Sequence, residues 1–244
     1  MNNRHVVISG GASGIGLSTA KTLAAQGARI SIIDLNPNTL VEAEALPGSG
    51  HQGLVLDVTK HDLVDLEIQK LAAVQPITGL VVSAGIVSQA KLIDISGDEF
   101  SKVIGVNVVG VHNVVASVAR TMVKNQVQGS IVVLGSVAAF NGGGLMGRGA
   151  YSTSKAALLG MVRSYARELA EYKIRVNTVA PGATATPMTD SLTPENRERI
   201  LTQMLVGRFL DSSEVVSAIN FLISDESSAF TGQTLHANGG SYFG

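Results

Sequence analysis

Val6-Val7-Ile8-Ser9-Gly10-Gly11-Ala12-Ser13-Gly14-Ile15-Gly16 is a β-branched run that breaks into glycine and then opens a helical pattern. Unbroken Val and Ile suit a strand covered on both faces, the usual state of a strand in a parallel sheet. The glycines permit a tight turn free of Cβ clashes and let a phosphate approach the backbone. The helix opening near Gly14 offers free N–H groups and a positive dipole end to that phosphate. The spacing Gly10, Gly14, Gly16 is not the G-x-G-x-x-G fingerprint. Taken alone, it also fits a plain strand-to-helix turn.

The same alternation continues along the chain. Candidate strands are Val6–Ser9, Arg29–Asp34, Gly53–Leu56, Leu80–Ser83, Ile131–Leu134, Ile174–Val179 and Gln233–His236, with helical segments between them. Ile15–Gln26 carries Leu17, Ala20, Leu23 and Ala24 at helical spacing and stops before Gly27, a good C′ residue. Asn36-Pro37 is expected to open the next helix as N-cap and N1. Asp98 is a candidate cap for the long helix after it, and Asp211 or Ser212 for the one near the C-terminus. Repeated βα order predicts a doubly wound α/β fold: one Rossmann-type domain over residues 1–244, its seven-stranded parallel sheet flanked by helices on both faces.

Composition narrows the function. Apolar residues make up 45% and charged residues 15%, with a net charge of −1 and no basic block. A nucleic-acid footprint is therefore missing. The absence of cysteine excludes disulfides, thiol catalysis and cysteine metal sites, and no other metal ligand set is read. A cytoplasmic protein is expected, since Met1-Asn2-Asn3-Arg4-His5 leads straight into a strand. The most apolar stretch, Val103–Met122, is interrupted by Asn107, His112, Asn113 and Arg120. It reads as a buried or interface helix and not as a membrane span.

Asp34 ends the second strand, 24 positions after Gly10. An acidic residue there binds both ribose hydroxyls of NAD and repels a 2′-phosphate. Leu35 adds no compensating charge and Ser13 is not basic, so NAD is favoured over NADP. Asp57-Val58 closes the third strand, where it either receives adenine or simply caps the helix from Thr59. The sequence balances those two readings.

Tyr151 and Lys155 lie four apart in Ala150-Tyr151-Ser152-Thr153-Ser154-Lys155, so on a helix they share a face. A free tyrosine, with a pKa of about 10, moves protons poorly near neutrality. A neighbouring ammonium and a positive nicotinamide ring are expected to lower it. The phenol then takes a proton from an alcohol or gives one to a carbonyl. The spacing alone is common. Ser136, at the end of Ile131-Val132-Val133-Leu134-Gly135, supports it by offering a hydroxyl to the substrate oxygen. No G-x-S-x-G surrounds that serine, so it is not read as a nucleophile. Asn107 breaks an apolar helix; it either bends the helix and holds a water toward Lys155 or is a satisfied core amide.

Together these motifs resemble the classical short-chain dehydrogenase/reductase family, over essentially the whole chain. Gly10–Gly16 matches that family's glycine spacing, which brings Gly10, Ser13, Gly14, Ile15 and Gly16 against the cofactor. Tyr151, Lys155 and Ser136 match its active-site residues, and Asn107 its fourth catalytic member. Pro181-Gly182-Ala183-Thr184-Ala185-Thr186 resembles its P-G-x-x-x-T segment. The resemblance implies that Pro181 and Gly182 face the cofactor, that Thr184 backbone holds the carboxamide and that Thr186 seats the nicotinamide half. Two departures stand out. Val82-Ser83-Ala84-Gly85 replaces the family's Asn-Asn-Ala-Gly: Ser83, Ala84 and Gly85 keep the backbone approach to the cofactor, and the amide contacts are lost. Five of the nine residues Asn141–Gly149 are glycine, which suggests a flexible cover over the substrate.

The resemblance further implies a homotetramer. The helices around Val103–Met122 and Tyr151–Tyr172 would face a second subunit, and Gly232–Gly244 another contact. Residues 182–210 would form the substrate loop, with Pro187–Leu210 a mobile lid. Its Met188, Leu192, Met204 and Leu205 either line an apolar pocket or pack on the core. The expected activity is hydride transfer between NAD(H) and a small-molecule secondary alcohol or ketone. Asp34 favours a dehydrogenase acting on a polyol, cyclic alcohol or hydroxy acid. The alternative is a 3-oxoacyl-thioester reductase, many of which prefer NADP. A non-catalytic dinucleotide sensor is the contrasting class, and a complete Asn–Ser–Tyr–Lys set argues against it.

Overall fold

A computed structural model of the protein describes residues 1, 3–190 and 192–244, the Met188 side chain excepted. Seven strands form one sheet: β1 (His5–Ser9), β2 (Arg29–Asp34), β3 (Gln52–Val55), β4 (Gly79–Val82), β5 (Gly129–Leu134), β6 (Ile174–Pro181) and β7 (Thr234–Ala237). Their order is β3-β2-β1-β4-β5-β6-β7, and each neighbouring pair is parallel. The chain reverses its direction of travel across the sheet between β1 and β4. A crevice therefore opens at the carboxyl ends of these two strands, where doubly wound sheets bind ligands.

Helices cover both faces. The principal ones are α1 (Gly14–Ala25), α2 (Thr39–Glu44), α3 (His61–Val74), α4 (Gly97–Ile104), α5 (Val111–Lys124), α6 (Ala138–Asn141), α7 (Ala150–Glu168), α8 (Pro187–Asp190), α9 (Pro194–Leu201) and α10 (Ser212–Ile223). Alternate strand residues divide between two cores, as the two-residue strand period requires. Val7, Leu80, Ile131 and Val176 pack under α3, α5 and α7 through Ile68, Val114 and Leu158. Val6, Val81, Val132 and Val179 pack under α1 and α10 through Leu23, Val215 and Ile219. Both faces are apolar, so the strands read as nearly unbroken Val and Ile.

Local details correct several sequence expectations. Helix α2 begins at Thr39, not at Pro37, because Asp34 Oδ1 accepts from Asn36 N–H and Asn36 Oδ1 from Asn38 N–H. These side-chain turns hold the chain out of the helix for two further residues. Ser96, not Asp98, caps α4: its hydroxyl accepts from Glu99 N–H. Of the two candidates near the C-terminus, Asp211 is the N-cap of α10, and Glu214 reaches back to accept from its N–H. The long apolar helix is three pieces. A π-helical turn, Gly105–Gly110, separates α4 from α5 and carries Asn107. By length and composition Gly97–Lys124 could cross a membrane, but most of it is buried against the rest of the molecule.

Candidate functional site

The glycine turn needs its glycines for two distinct reasons. Gly10 has a φ of 71°, and a Cβ on it would lie 2.4 Å from Ala84 N. A Cβ on Gly16 would lie 2.1 Å from Gly10 O, so only glycine lets α1 pack this close to the turn. Ser13 stands at the N-cap of α1 in extended conformation, and its hydroxyl makes no capping bond. The leading N–H groups of the helix thus remain available to an anion. Asp34 closes the turn from the neighbouring strand, with Oδ2 accepting from Ala12 N–H at 3.1 Å.

One cavity of about 850 Å³ runs along this edge of the sheet, within the usual range for cofactor and substrate sites. Asp34, Asp57 and Val58 line it at one end. Gly10, Ser13, Gly14, Ile15, Ser83, Ala84 and Gly85 line its middle, and Ser136, Tyr151, Lys155, Pro181, Gly182, Thr184 and Thr186 the other end. The donor set suits a dinucleotide: a carboxylate for ribose hydroxyls, an uncapped helix end for a pyrophosphate, and polar groups at the far end. Two residues expected here do not line the cavity. Gly16 acts from behind, through the packing of α1. Asn107 is fully buried: its Oδ1 accepts from Ile86 N–H at 2.8 Å, and its Nδ2 donates to Ile86 O at 2.9 Å and Ser154 Oγ at 3.0 Å. It fixes the backbone beside Gly85, whose own Cβ position lies 3.3 Å from Asn107 Oδ1 and 3.7 Å from Lys155 Nζ.

Asp57 lines the cavity but does not cap the next helix, which begins at His61 with Lys60 as its N-cap. Asp57 Oδ1 accepts from Thr59 N–H at 2.9 Å and Thr59 Oγ1 at 2.8 Å. Those two bonds hold its carboxyl below the ordinary aspartate pKa. At the missing Asn-Asn pair, Val82 joins the apolar core and Ser83 N–H donates to Ser9 O at 2.8 Å. Ser9, paired in register with Val82, keeps a buried hydroxyl with no partner among the described residues.

Tyr151 lies in the first turn of α7 and Lys155 one turn later. Lys155 is 5% exposed, donates to Leu134 O at 2.8 Å and stands 5.8 Å from the centre of the Tyr151 ring. Burial pushes its pKa down to about 8. Burial pushes Tyr151 up, and a hydrogen-bonding interaction with Ser136 draws it partly back. This corrects the expectation that the ammonium would lower the tyrosine: for the protein's own groups, desolvation of the phenolate outweighs a cation at that distance.

The cover of the site is folded. Gly143 pairs with Arg148 as an antiparallel bridge, and Gly144 N–H donates to Gly147 O at 2.9 Å. Leu145 and Met146 form the tip, facing the cavity. Arg148 ties the base down, its N–H to Ser88 O and its Nε to Gln89 O. From the other side, Ile200 and Met204 are buried and line the cavity, whereas Leu205 is exposed over Gly240 and Leu192 packs on the core. The Met188 side chain lies outside the described residues. Sequence reasoning missed Lys102, Val106, Ile200, Gln203 and Ser241 as lining residues. They come from distant helices and the tail, and nothing local marks them.

A tyrosine and lysine at the mouth of a dinucleotide-shaped cleft define an oxidoreductase that acts on alcohol or carbonyl groups. The chain belongs to the short-chain dehydrogenase/reductase family: residues 10–242 match the family model described as enoyl-(acyl carrier protein) reductase. It is 41% identical to the 3-oxoacyl-(acyl-carrier-protein) reductase FabG of Thermotoga maritima over 245 residues, covering 98% of each chain. It is 36% identical to the FabG of Escherichia coli K12 over 237 residues, covering 97% of this chain and 96% of the relative. Among solved structures, it is similar to one described as a putative NAD(P)-dependent gluconate 5-dehydrogenase from Beutenbergia cavernae with bound NADP at low occupancy. The TM-score is 0.91 and the identity 29%, with 99% of this chain and 97% of that one covered.

Proposed function

We infer that this chain interconverts a secondary alcohol and a ketone using NAD(H), with Tyr151 moving the proton. The observation that carries this reading is the convergence of Tyr151, Ser136 and Lys155 at one end of a cavity whose other end is rimmed by Asp34. A bound nicotinamide dinucleotide supplies the hydride acceptor or donor. Ser136 Oγ holds the substrate oxygen beside the Tyr151 hydroxyl. In oxidation the Tyr151 phenolate takes the alcohol proton as the carbon hydride departs; in reduction the phenol returns a proton to the carbonyl oxygen. Lys155, fixed by Leu134 O, favours the phenolate electrostatically. Asn107 positions the Gly85–Ile86 backbone behind the reacting centre.

Asp34 supports NAD over NADP, because its carboxylate lines the cavity at the end of β2 and, among the described residues, the only cations lining the cavity are Lys102 of α4 and Lys155, which is held by Leu134 O. The NADP reported in the similar Beutenbergia structure favours the opposite choice. A second reading, reduction of a 3-oxoacyl thioester, draws on the FabG relatives. Assays with acetoacetyl-CoA and with secondary alcohols, each with both dinucleotides, separate the two. The proposal extends to one cytosolic domain that assembles as a homotetramer. A groove beside α5 and the end of α7, with Ala116, Val123, Tyr165 and Tyr172 flanked by Arg120, Lys124, Glu168 and Glu171, offers mixed apolar and charged surface for that contact. Closure of the Leu145-Met146 tip over substrate is part of the same reading, and hydrogen exchange unchanged by ligands would rule it out.

Tyr151→Phe tests the mechanism. It should keep dinucleotide affinity by calorimetry and lose on the order of 1,000-fold in turnover; undiminished turnover would sink the mechanism.

A further inference from the structure

Four charged side chains line the cavity among the described residues: Asp34, Asp57, Lys102 and Lys155. Asp34 ends β2 and Asp57 follows β3 by two residues, at the end away from Tyr151. Lys102 lies on α4, continuous with the π turn whose Gly110 is pressed on Val58. Lys155 stands behind Tyr151, held by Leu134 O. Beyond Tyr151 and Ser136 the walls carry no ionisable side chain. They are built from Leu145 and Met146 at the hairpin tip, facing Ile200 and Met204 of the α9 segment. Ile200 and Met204 are buried in one apolar core, and Leu145 and Met146 pack against that same core. Besides Ser136 and Tyr151, the polar side chains at this end are Asn141, Thr184, Thr186, Gln203 and Ser241. Arg148, Arg197 and Arg208 are engaged elsewhere, with Gln89 O, over the Phe209 ring at 4.9 Å and with Glu214, and Arg199 of α9 does not line the cavity.

We propose that the substrate is uncharged and carries an apolar chain or ring next to its carbonyl, and is neither a hydroxy acid nor a polyol. A carboxylate closed under this hairpin would lose water and meet no cation. A polyol would leave the hydroxyls directed at Leu145, Met146, Ile200 and Met204 without partners. An alkyl group gains what both of those lose. This inference rests on the alcohol/ketone reading above and sharpens it.

The full-length protein with saturating NADH is assayed on methyl ketones from butanone to octanone and on oxo acids of matching length. The corresponding secondary alcohols and sorbitol are assayed with NAD. For the ketones, kcat/KM should rise about fourfold per methylene until the wall is filled. Oxo acids and sorbitol should fall roughly 100-fold below the best neutral substrate of their assay direction. Met146→Lys, at a half-buried position where a long stem can reach out, should raise the oxo-acid-to-ketone ratio at least about tenfold without changing NADH affinity. Oxo acids or sorbitol turned over as well as the neutral series, or ketone rates independent of chain length, would overturn this inference and leave the alcohol/ketone reading standing. No turnover of any carbonyl or alcohol, with NADH binding intact by calorimetry, would overturn that reading and this inference with it.

Discussion

The backbone of Gly147 is packed against the ring of Tyr151: a Cβ on Gly147 would fall 2.5 Å from Tyr151 Cδ1 and 2.9 Å from Cε1. The Gly143–Arg148 hairpin therefore sets the position of the Tyr151 phenol, the proposed proton-moving group. Its footing is firm, since Arg148 is bonded to the Ser88 and Gln89 carbonyls and Ser88 Oγ donates to Glu99 of α4. Gly147→Ala should push the ring aside. Displacement of a reacting group by about 1 Å costs on the order of 100-fold in rate. The expected result is a kcat about 100-fold lower with dinucleotide affinity unchanged, read by steady-state kinetics and calorimetry. A variant with wild-type kcat would show that the contact does not position the tyrosine.

Much of this site was legible in the sequence because its chemistry sits where the backbone pattern changes. Gly10, Asp34, Ser136 and Pro181 all lie where a parallel strand gives way to a loop, and a run of Val and Ile locates that point to within a residue or two. Tyr151 and Lys155 were readable as a helical pair. Less legible was what depends on distant packing. Asn107 is polar inside an apolar helix, which the sequence shows, but the π turn and the Ile86 partner that explain it come from tertiary structure. Gly147 stood out only as one glycine among five; its neighbour, the Tyr151 ring, is visible only in three dimensions. Ile200, Gln203 and Ser241 reach the cavity from segments that no local pattern connects to it.

The two buried groups predict opposite pH dependences for the two directions of reaction. Burial raises Tyr151 and lowers Lys155 to about 8, so at neutral pH the phenol is protonated and the lysine mostly charged. Carbonyl reduction uses both in those states. Its kcat/KM should be flat up to about pH 7 and fall as pH rises through about 8. Oxidation needs the phenolate, which burial shifts above the ordinary tyrosine range, so its rate should still be climbing at the alkaline end of the range while reduction falls. Initial rates in both directions across pH 6–10 check this. A reduction rate that rises through pH 8 would contradict the assignment of Tyr151 as proton donor.

Lys155 also makes a prediction about stability. Its folded pKa of about 8 lies below the ordinary 10.5, a difference of about 3 kcal/mol. Below pH 8 the lysine is protonated in both states, and the cost of burying its charge is fully present. Between pH 8 and 10.5 the unfolded chain holds more protons, so stability from this group rises with pH; above that range the cost is gone. Lys155→Met removes the charge and fills similar space, and freeing Leu134 O gives back about 1 kcal/mol. Urea titration at pH 7 should find the variant about 2 kcal/mol more stable and inactive, with the gap narrowing toward pH 10. A variant less stable than wild type at pH 7 would show that the ammonium is a net support of the fold.

On the proposed NAD reading, Asp34 sets the dinucleotide preference by charge. A 2′-phosphate about 5 Å from its carboxylate meets a repulsion of roughly 3 kcal/mol per unit charge at an effective dielectric of 20, close to 100-fold in affinity. The wild type should therefore favour NAD over NADP by about that factor in kcat/KM. Asp34→Ala removes the repulsion together with the acceptor for ribose hydroxyls, so NADP should gain while NAD loses, narrowing the ratio at least about tenfold. The same change strips Ala12 N–H of its acceptor and frees Asn36 N–H, which should cost on the order of 1–2 kcal/mol of stability. Kinetics with both dinucleotides, read beside a denaturation curve, separate the two effects. A loosened turn alone would weaken both dinucleotides in parallel, whereas charge removal moves them in opposite directions. A wild type that already prefers NADP would mean that Asp34 serves the glycine turn and does not read the ribose.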